Sequence, residues 1–154
     1  NKFILNKNKN IRFHIEPGKF IVSEAGVFLT KVNYVNPKKN KKFLHVNSGL
    51  NHFIRPMFYG SRHSIINITS KIKEEENYSV VGYVCETDTF AENISLNKTF
   101  EGDVLCFKNA GAYCFSMSSN YNSRLKPAEV LISKRGIKLI RKREEFKDLL
   151  KNQL

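Results

Sequence analysis

The sequence predicts a mostly β fold, an antiparallel β-barrel or β-sandwich preceded by a strand and a helix that belong to a larger unit. Two patterns indicate it. From about residue 31 onward, short segments rich in Val, Ile, Phe and Tyr recur, with Gly, Asn, Pro or Asp between them, which is typical of strands. Before residue 33 the apolar side chains recur at three- and four-residue steps, which is typical of a helix. We therefore expect two units, residues 1–32 and residues 33–154.

The first unit begins with a segment of strand character. Residues 11–15 alternate apolar and polar side chains, and the Pro17-Gly18 pair that follows ends the pattern. From Phe20 to Val32 the helical spacing of the apolar residues predicts a helix of about three turns.

The second unit predicts roughly six or seven strands that pack into one antiparallel β domain. The candidate strands are residues 31–35, 42–46, 62–69, 78–85, 103–109, 129–132 and 137–141. The basic run at residues 38–42 follows a proline and is expected to form a solvated hairpin loop. Residues 133–136 predict a second hairpin turn, and residues 144–150 predict one or two closing turns of amphipathic helix.

The composition restricts the partners and the compartment. The net charge is +12, from 26 Lys and Arg against 14 Asp and Glu. Such a charge is compatible with nucleic-acid or anionic-membrane binding, but a Lys-rich and Asn-rich surface explains it more simply, so we expect neither partner. Three cysteines cannot all pair within one chain, which indicates a reducing cytoplasm. The spacing of Cys and His residues also predicts no metal site.

Four segments resemble the pyridoxal-phosphate-dependent decarboxylases that join an alanine-racemase-like barrel to a C-terminal β domain. They are residues 16–22 (Glu-Pro-Gly-Lys-Phe-Ile-Val), 51–59 (Asn-His-Phe-Ile-Arg-Pro-Met-Phe-Tyr), 82–88 (Gly-Tyr-Val-Cys-Glu-Thr-Asp) and 110–124, which contains Ser-Met-Ser-Ser-Asn-Tyr-Asn. Within this ornithine decarboxylase fold family, the segments resemble the diaminopimelate enzymes most. The resemblance implies that residues 1–32 are the last strand and helix of a TIM (β/α)8 barrel and that residues 33–154 are the C-terminal β domain.

The resemblance also implies a pyridoxal 5'-phosphate cofactor and four residues that bind it. Glu16 would pair with the ring nitrogen, because the ring accepts electrons best when that nitrogen is protonated. Gly18 would let the backbone approach the cofactor phosphate, and Tyr113 would contact that phosphate as well as the substrate. Lys19 would bind the phosphate or a substrate carboxylate; the family usually has Arg here, and Lys recognises an anion less directionally. Without the resemblance, these residues are compatible with an ordinary turn and a core aromatic.

Besides Lys19 and Tyr113, four further residues are implied to act on the substrate. Arg55 and Tyr59 would hold a carboxylate, because a guanidinium matches its geometry in a bidentate way. Cys85 would protonate the carbon that has lost carbon dioxide, and Glu86 would bind the ammonium at the far end of the substrate. In the family, the last two cross the dimer interface into the partner's site. The simpler alternatives are a loop Arg beside a core Tyr and a buried structural thiol.

The activity implied by the resemblance is the decarboxylation of meso-2,6-diaminopimelate to L-lysine and carbon dioxide, in lysine biosynthesis, by a homodimer with shared sites. The family's Schiff-base lysine matches nothing in these 154 residues, and the chain does not begin with Met. We therefore expect a fragment that is inactive without its barrel domain. Two alternatives stay open: a related decarboxylase acting on ornithine, arginine or carboxynorspermidine, and a non-catalytic basic β module.

Overall fold

The computed structural model of the chain describes residues 12–39 and 41–154. The three α-helices are short: α1 (Gly18–Val22), α2 (Arg55–Tyr59) and α3 (Phe146–Leu150). Single turns of 3-10 helix occupy Ser23–Ala25, Phe115–Met117 and Tyr121–Ser123. The strands are β1 (Phe28–Lys38), β2 (Lys41–Val46), β3 (Ile65–Asn67), β4 (Glu75–Val81), β5 (Thr89–Asn97), β6 (Val104–Phe107), β7 (Glu129–Ser133) and β8 (Gly136–Arg141). No helix in these two ranges is both long enough and apolar enough to cross a bilayer.

Six strands form one sheet in the order β3-β6-β1-β2-β4-β5. Its two edge strands, β3 and β5, contact each other, so the sheet nearly closes into a barrel. The prediction of a mostly β fold is therefore confirmed. The expectation of purely antiparallel pairing is wrong at one place, because β2 and β4 run parallel. A parallel pair needs a long crossover, and residues 47–74 supply it.

The core lies inside this curled sheet. Along β1 the side chains of Phe28, Thr30 and Val32 are buried, whereas the residues between them are exposed, as the two-residue period of a strand requires. The ring of Phe28 packs against Phe53 and Phe107 at centroid distances of 5.6 and 5.7 Å. Aromatic rings from several strands and from the crossover thus meet in one cluster.

The three-turn helix expected between Phe20 and Val32 is wrong. The helix α1 ends at Val22, and β1 begins at Phe28. The backbone from Phe28 to Lys31 instead pairs with β6, and this pairing buries Phe28 and Val32 on one side. Tertiary pairing therefore overrides an apolar spacing that is compatible with either structure.

The strand expected at residues 11–15 is likewise absent from the part of it that the structure describes. Residues 12–15 have no regular secondary structure, and Ile11 lies outside the described residues. The boundary between residues 32 and 33 stays a prediction; β1 runs through it without a break.

Both expected hairpins form. Lys38 pairs with Lys41 at the end of the β1–β2 hairpin, whose Asn40 lies outside the described residues. In the β7–β8 hairpin, Ser133 pairs with Gly136, which has a φ of +110° that favours glycine. The closing helix α3 also forms, somewhat shorter than expected.

A polar network joins β2 and β4 to the turn after β5. The Tyr78 hydroxyl donates to Oε2 of Glu76 at 2.5 Å and accepts the backbone N–H of Thr99 at 3.0 Å. The Lys42 ammonium lies 2.7 Å from the same Glu76 oxygen. Burial, with the Glu76 carboxylate adding to it, raises the pKa of Tyr78 to about 12. The hydrogen bond from Lys42 lowers the pKa of Glu76.

Candidate functional site

An open cleft of about 530 Å³ lies between α1 and the loop that follows β6. Its lining includes Glu16, Gly18, Lys19 and Tyr113. These are the four residues that the resemblance assigns to the cofactor. The structure therefore brings together two segments that are far apart in the sequence.

Close backbone contact holds the two sides of the cleft together. Gly111 donates its N–H to the carbonyl of Ser23 at 3.0 Å, and Ala110 donates to the carbonyl of Gly26 at 2.8 Å. A Cβ atom on Gly111 would lie 2.0 Å from the carbonyl oxygen of Val22. Because that oxygen belongs to the backbone, only glycine allows this approach.

Arg55 lies at the start of α2, with Tyr59 one turn further on. The guanidinium carbon lies 4.5 Å from the centroid of the Tyr59 ring and 5.0 Å from that of the Tyr113 ring. Both distances are within the range of cation–π attraction. No carboxylate of residues 12–39 and 41–154 forms a salt bridge with Arg55. The cation is therefore held in place by rings, with its charge open to an external anion.

The ring of Tyr113 joins the two groups of predicted residues. It lines the cleft beside Lys19 and also contacts Arg55. Its backbone has a φ of +62°, a left-handed conformation that is uncommon for a residue with a bulky side chain. Such strain persists only where the surrounding structure enforces it.

Cys85 and Glu86 lie in the loop of residues 82–88, between β4 and β5. Both are exposed, whereas Cys106 is buried and Cys114 is half-buried. Burial raises the pKa of the Cys106 thiol, and it raises the pKa of Cys114 to about 12. Those two thiols are therefore protonated packing groups, and Cys85 is the one exposed thiol of the described residues.

The carboxylate of Asp88 fixes the 82–88 loop. Oδ2 accepts the backbone N–H of Val84 at 2.8 Å, and Oδ1 accepts that of Leu50 at 2.6 Å. Burial raises the pKa of Asp88, and these two hydrogen bonds oppose the effect. An added Cβ would lie 2.7 Å from Oδ2 of Asp88 at Gly49 and 2.1 Å from the same atom at Gly82, so both positions lie in close contact with the carboxylate. The 82–88 loop is thereby tied to the turn that leads into α2.

A second set of hydrogen bonds links this turn to the 82–88 loop and to Leu125. The Tyr83 hydroxyl donates to Oδ1 of Asn51 at 3.1 Å. His52 places Nδ1 2.9 Å from the Ser48 hydroxyl and Nε2 2.9 Å from the carbonyl of Leu125. Burial is the main cause that lowers the pKa of His52. The neutral ring therefore donates from Nε2 to Leu125 and accepts from Ser48 at Nδ1.

The structure does not bring all the predicted residues into one group. In the part of the chain that it describes, no hydrogen bond, salt bridge or ring contact joins Cys85 or Glu86 to Arg55, Tyr59 or Tyr113. The hydroxyl of Tyr121 donates to Oε1 of Glu86 at 3.0 Å. Sequence reasoning gave no site role to Tyr121 or Asp88, although both lie in segments that carry the resemblance.

Residues 19–111 match the family model of the pyridoxal-dependent decarboxylase C-terminal sheet domain. Among curated proteins, the diaminopimelate decarboxylase of Methanothermobacter thermautotrophicus is 46% identical over 141 residues, which are 90% of this chain and 33% of that protein. The corresponding enzyme of Aquifex aeolicus is 38% identical over 92% of this chain and 34% of its own length. The chain thus spans about a third of the length of these relatives.

Solved structures give the same relation. The crystal structure of diaminopimelate decarboxylase from M. jannaschii superimposes with a TM-score of 0.85 at 38% identity, covering 88% of this chain and 31% of that one. This structural match also confirms the predicted fold class, a mostly β C-terminal domain of a two-domain decarboxylase.

Proposed function

The chain belongs to the pyridoxal-dependent decarboxylases as their C-terminal sheet domain, and on this premise we propose that the whole protein decarboxylates meso-2,6-diaminopimelate to L-lysine. The contact of Arg55 with the rings of Tyr59 and Tyr113 carries the proposal. It supplies an open cation for a carboxylate beside a cleft that suits a phosphate. The relatives named above, all diaminopimelate decarboxylases, support this choice of substrate.

The cleft has the chemistry that pyridoxal phosphate requires. Lys19 provides a cation and Tyr113 a phenol donor for the phosphate, and Glu16 provides a carboxylate for the ring nitrogen. An added Cβ on Gly18 would meet no atom within 4 Å, so the backbone is open there. The Gly18 N–H already donates to the carbonyl of Glu16 at 2.9 Å, so we assign Gly18 close approach and not a hydrogen bond. The cofactor would supply an electron sink for the bond that breaks.

Arg55 and Tyr59 bind and orient the substrate. The guanidinium offers two parallel N–H donors to a carboxylate, and the Tyr59 hydroxyl offers a third. Stacking restricts the guanidinium before the substrate arrives, so less conformational entropy is lost on binding.

Cys85 and Glu86 act on the reacting carbon and on the far end of the substrate, from the partner subunit of a homodimer. An exposed thiol on a fixed loop can deliver a proton to a carbon atom. The exposed Glu86 carboxylate can accept an ammonium group. The separation of this pair from Arg55 within one chain supports an arrangement in which two chains complete each site.

The test is carbon dioxide release by the protein expressed from its complete coding sequence and reconstituted with pyridoxal phosphate. We expect release from meso-diaminopimelate and none from L-ornithine, measured in parallel. Release from ornithine alone would keep the chemistry and overturn the substrate. Absence of release from both, with cofactor bound, would overturn the proposed activity.

A further inference from the structure

Tyr121 and Glu86 belong to different segments and meet through one hydrogen bond. The Tyr121 hydroxyl donates to Oε1 of Glu86 at 3.0 Å. The Glu86 hydrogen bond is also the largest cause that raises the pKa of Tyr121. Both side chains are exposed, so the contact is made at the surface that faces outward from the 82–88 loop.

The segment that carries Tyr121 is anchored on both sides. Before it, the N–H of Ser119 donates to the carbonyl of Asn51 at 2.8 Å. After it, the guanidinium carbon of Arg124 lies 4.5 Å from the centroid of the Tyr83 ring. The side chain of Asn120 donates to the carbonyl of Arg124 at 3.0 Å and so closes the turn. Tyr121 therefore lies on a fixed turn, and its hydroxyl contacts the carboxylate of the flexible Glu86 side chain.

We propose that Tyr121 is a specificity-determining positioning residue, which holds the Glu86 carboxylate at the depth where it meets the distal ammonium of the substrate. The inference rests on the proposed function. A glutamate side chain has several rotatable bonds, and one bound oxygen removes most of its freedom. The second oxygen, Oε2, has no hydrogen-bond or salt-bridge partner among the described residues and can accept the ammonium.

This arrangement selects substrates by length. A carboxylate fixed at one depth binds an ammonium strongly only when the carbon chain of the substrate reaches it. A mobile Glu86 carboxylate can also reach the ammonium of a shorter substrate. The loss of the Tyr121 hydroxyl therefore weakens both the binding of the substrate and the selection for its length.

The first test measures the contact itself and needs no turnover. In protein labelled with carbon-13 in its tyrosine rings, the Tyr121 signal is assigned by its loss in Tyr121→Phe, and its pKa is followed by titration. We expect the pKa of Tyr121 to fall in Glu86→Ala, because the acceptor and its negative charge are removed. An unchanged Tyr121 pKa would show that the contact is absent and would overturn the inference.

The second test measures its effect in the complete, reconstituted enzyme. We expect Tyr121→Phe to raise KM for meso-diaminopimelate about five-fold with kcat nearly unchanged, as the loss of one exposed charge-assisted hydrogen bond predicts. The selectivity for diaminopimelate over shorter diamino acids should fall as well. In a Glu86→Ala background, Tyr121→Phe should have no further effect, because the residue acts through that carboxylate.

Tyr34→Phe is the matched control, since Tyr34 is 45% exposed against 43% for Tyr121 and stacks on His45 at 4.2 Å, and among the described residues its hydroxyl forms no hydrogen bond with Glu86. It should leave KM unchanged. An equal rise in KM from Tyr121→Phe with and without Glu86 would overturn the positioning role. Absence of diaminopimelate turnover in the unmodified enzyme would overturn the proposed function, whereas the tyrosine titration would still decide whether the contact exists.

Discussion

Arg55 has two aromatic rings within cation–π distance and no acidic partner among the residues that the structure describes. The two rings therefore orient the Arg55 side chain without neutralising its charge. Stacking fixes the orientation of the planar guanidinium. A carboxylate within the chain would instead have occupied the N–H donors of the guanidinium. The residue therefore keeps its donors for a ligand.

Replacing Arg55 with Lys should lower kcat/KM for diaminopimelate by about 10- to 100-fold, because the ammonium loses both the two-pronged geometry and the ring stacking. Steady-state kinetics on the reconstituted enzyme measure the change. Arg62→Lys is the control, as Arg62 is exposed just beyond α2. A loss as large in the control would show that the effect of position 55 is not specific.

Replacing Cys85 with Ala should lower kcat far more than it raises KM, because we propose that the thiol moves a proton and does not bind the substrate. The expected loss in kcat is about 100- to 10,000-fold, the usual contribution of a positioned acid or base. Pre-steady-state and steady-state rates separate the two parameters. Equal effects on kcat and KM would contradict the proton-transfer role.

The resemblance assigned roles to individual residues because each lies in a short motif of distinctive residue types, and those roles stay predictions. The sequence could not predict which other residues hold these side chains in place. Asp88 acts through burial and two backbone N–H groups that come from separate turns. Tyr121 acts through a partner 35 positions away. Neither relation leaves a local pattern in the sequence.

At the level of elements, α1 and the loop after β6 form one unit because Gly111 and Gly26 bring two backbones together. The cleft residues on both sides depend on this contact for their spacing. Adding one carbon atom at Gly111 should therefore change the spacing of the cleft residues on both sides.

Gly111→Ala should lower the affinity for pyridoxal phosphate and destabilise the fold by about 1–3 kcal/mol, because the new methyl group would overlap the carbonyl of Val22. Cofactor absorbance after dialysis and thermal unfolding measure the two effects. Gly18→Ala, which has open space around the added carbon, should leave the melting temperature unchanged. A stable Gly111→Ala variant with full cofactor retention would contradict the packing argument.

The Tyr78 network predicts a stability loss in alkali. The folded chain keeps the Tyr78 proton up to about pH 12, whereas the unfolded tyrosine releases it near 10, so the folded state binds more protons between these values. The contribution of Tyr78 is therefore fully present below about pH 10 and is lost as the pH rises toward about 12. In Tyr78→Phe, chemical unfolding should show about 1–3 kcal/mol lower stability at neutral pH, because the Thr99 N–H loses its acceptor. The alkaline loss should become smaller than in the unmodified protein, and an identical alkaline profile in both would contradict the network.

The elements themselves were only partly predictable. The hairpins were recognised because their turns contain basic and glycine residues between alternating strands. The strand β5 was missed because Glu92 and Asn93 interrupt its apolar pattern, and Asn93 has a φ of +49°. The parallel β2–β4 pair could not be predicted, because strand direction depends on the path of the crossover and not on the residues that pair.

At the level of the whole molecule, the separation of Cys85 from Arg55 predicts complementation between two inactive variants. Arg55→Ala and Cys85→Ala should each have little activity as homodimers. After mixing and subunit exchange, about a quarter of the sites should recover, because half of the dimers are mixed and each mixed dimer has one intact site. Activity that stays at the sum of the two variants would show that one chain supplies both residues.

The crossover from β2 to β4 also has a kinetic consequence. Residues 47–74 must fold back before these parallel strands can pair, and the same residues carry α2 with Arg55. Closing such a long loop is slow, because its entropy is lost before the distant contacts form. We therefore expect the pairing of β2 with β4 to be a slow step of folding, and the same crossover carries the proposed substrate-binding residue Arg55. A folding intermediate that lacks the β2–β4 pair should lack the proposed substrate-binding end of the site as well.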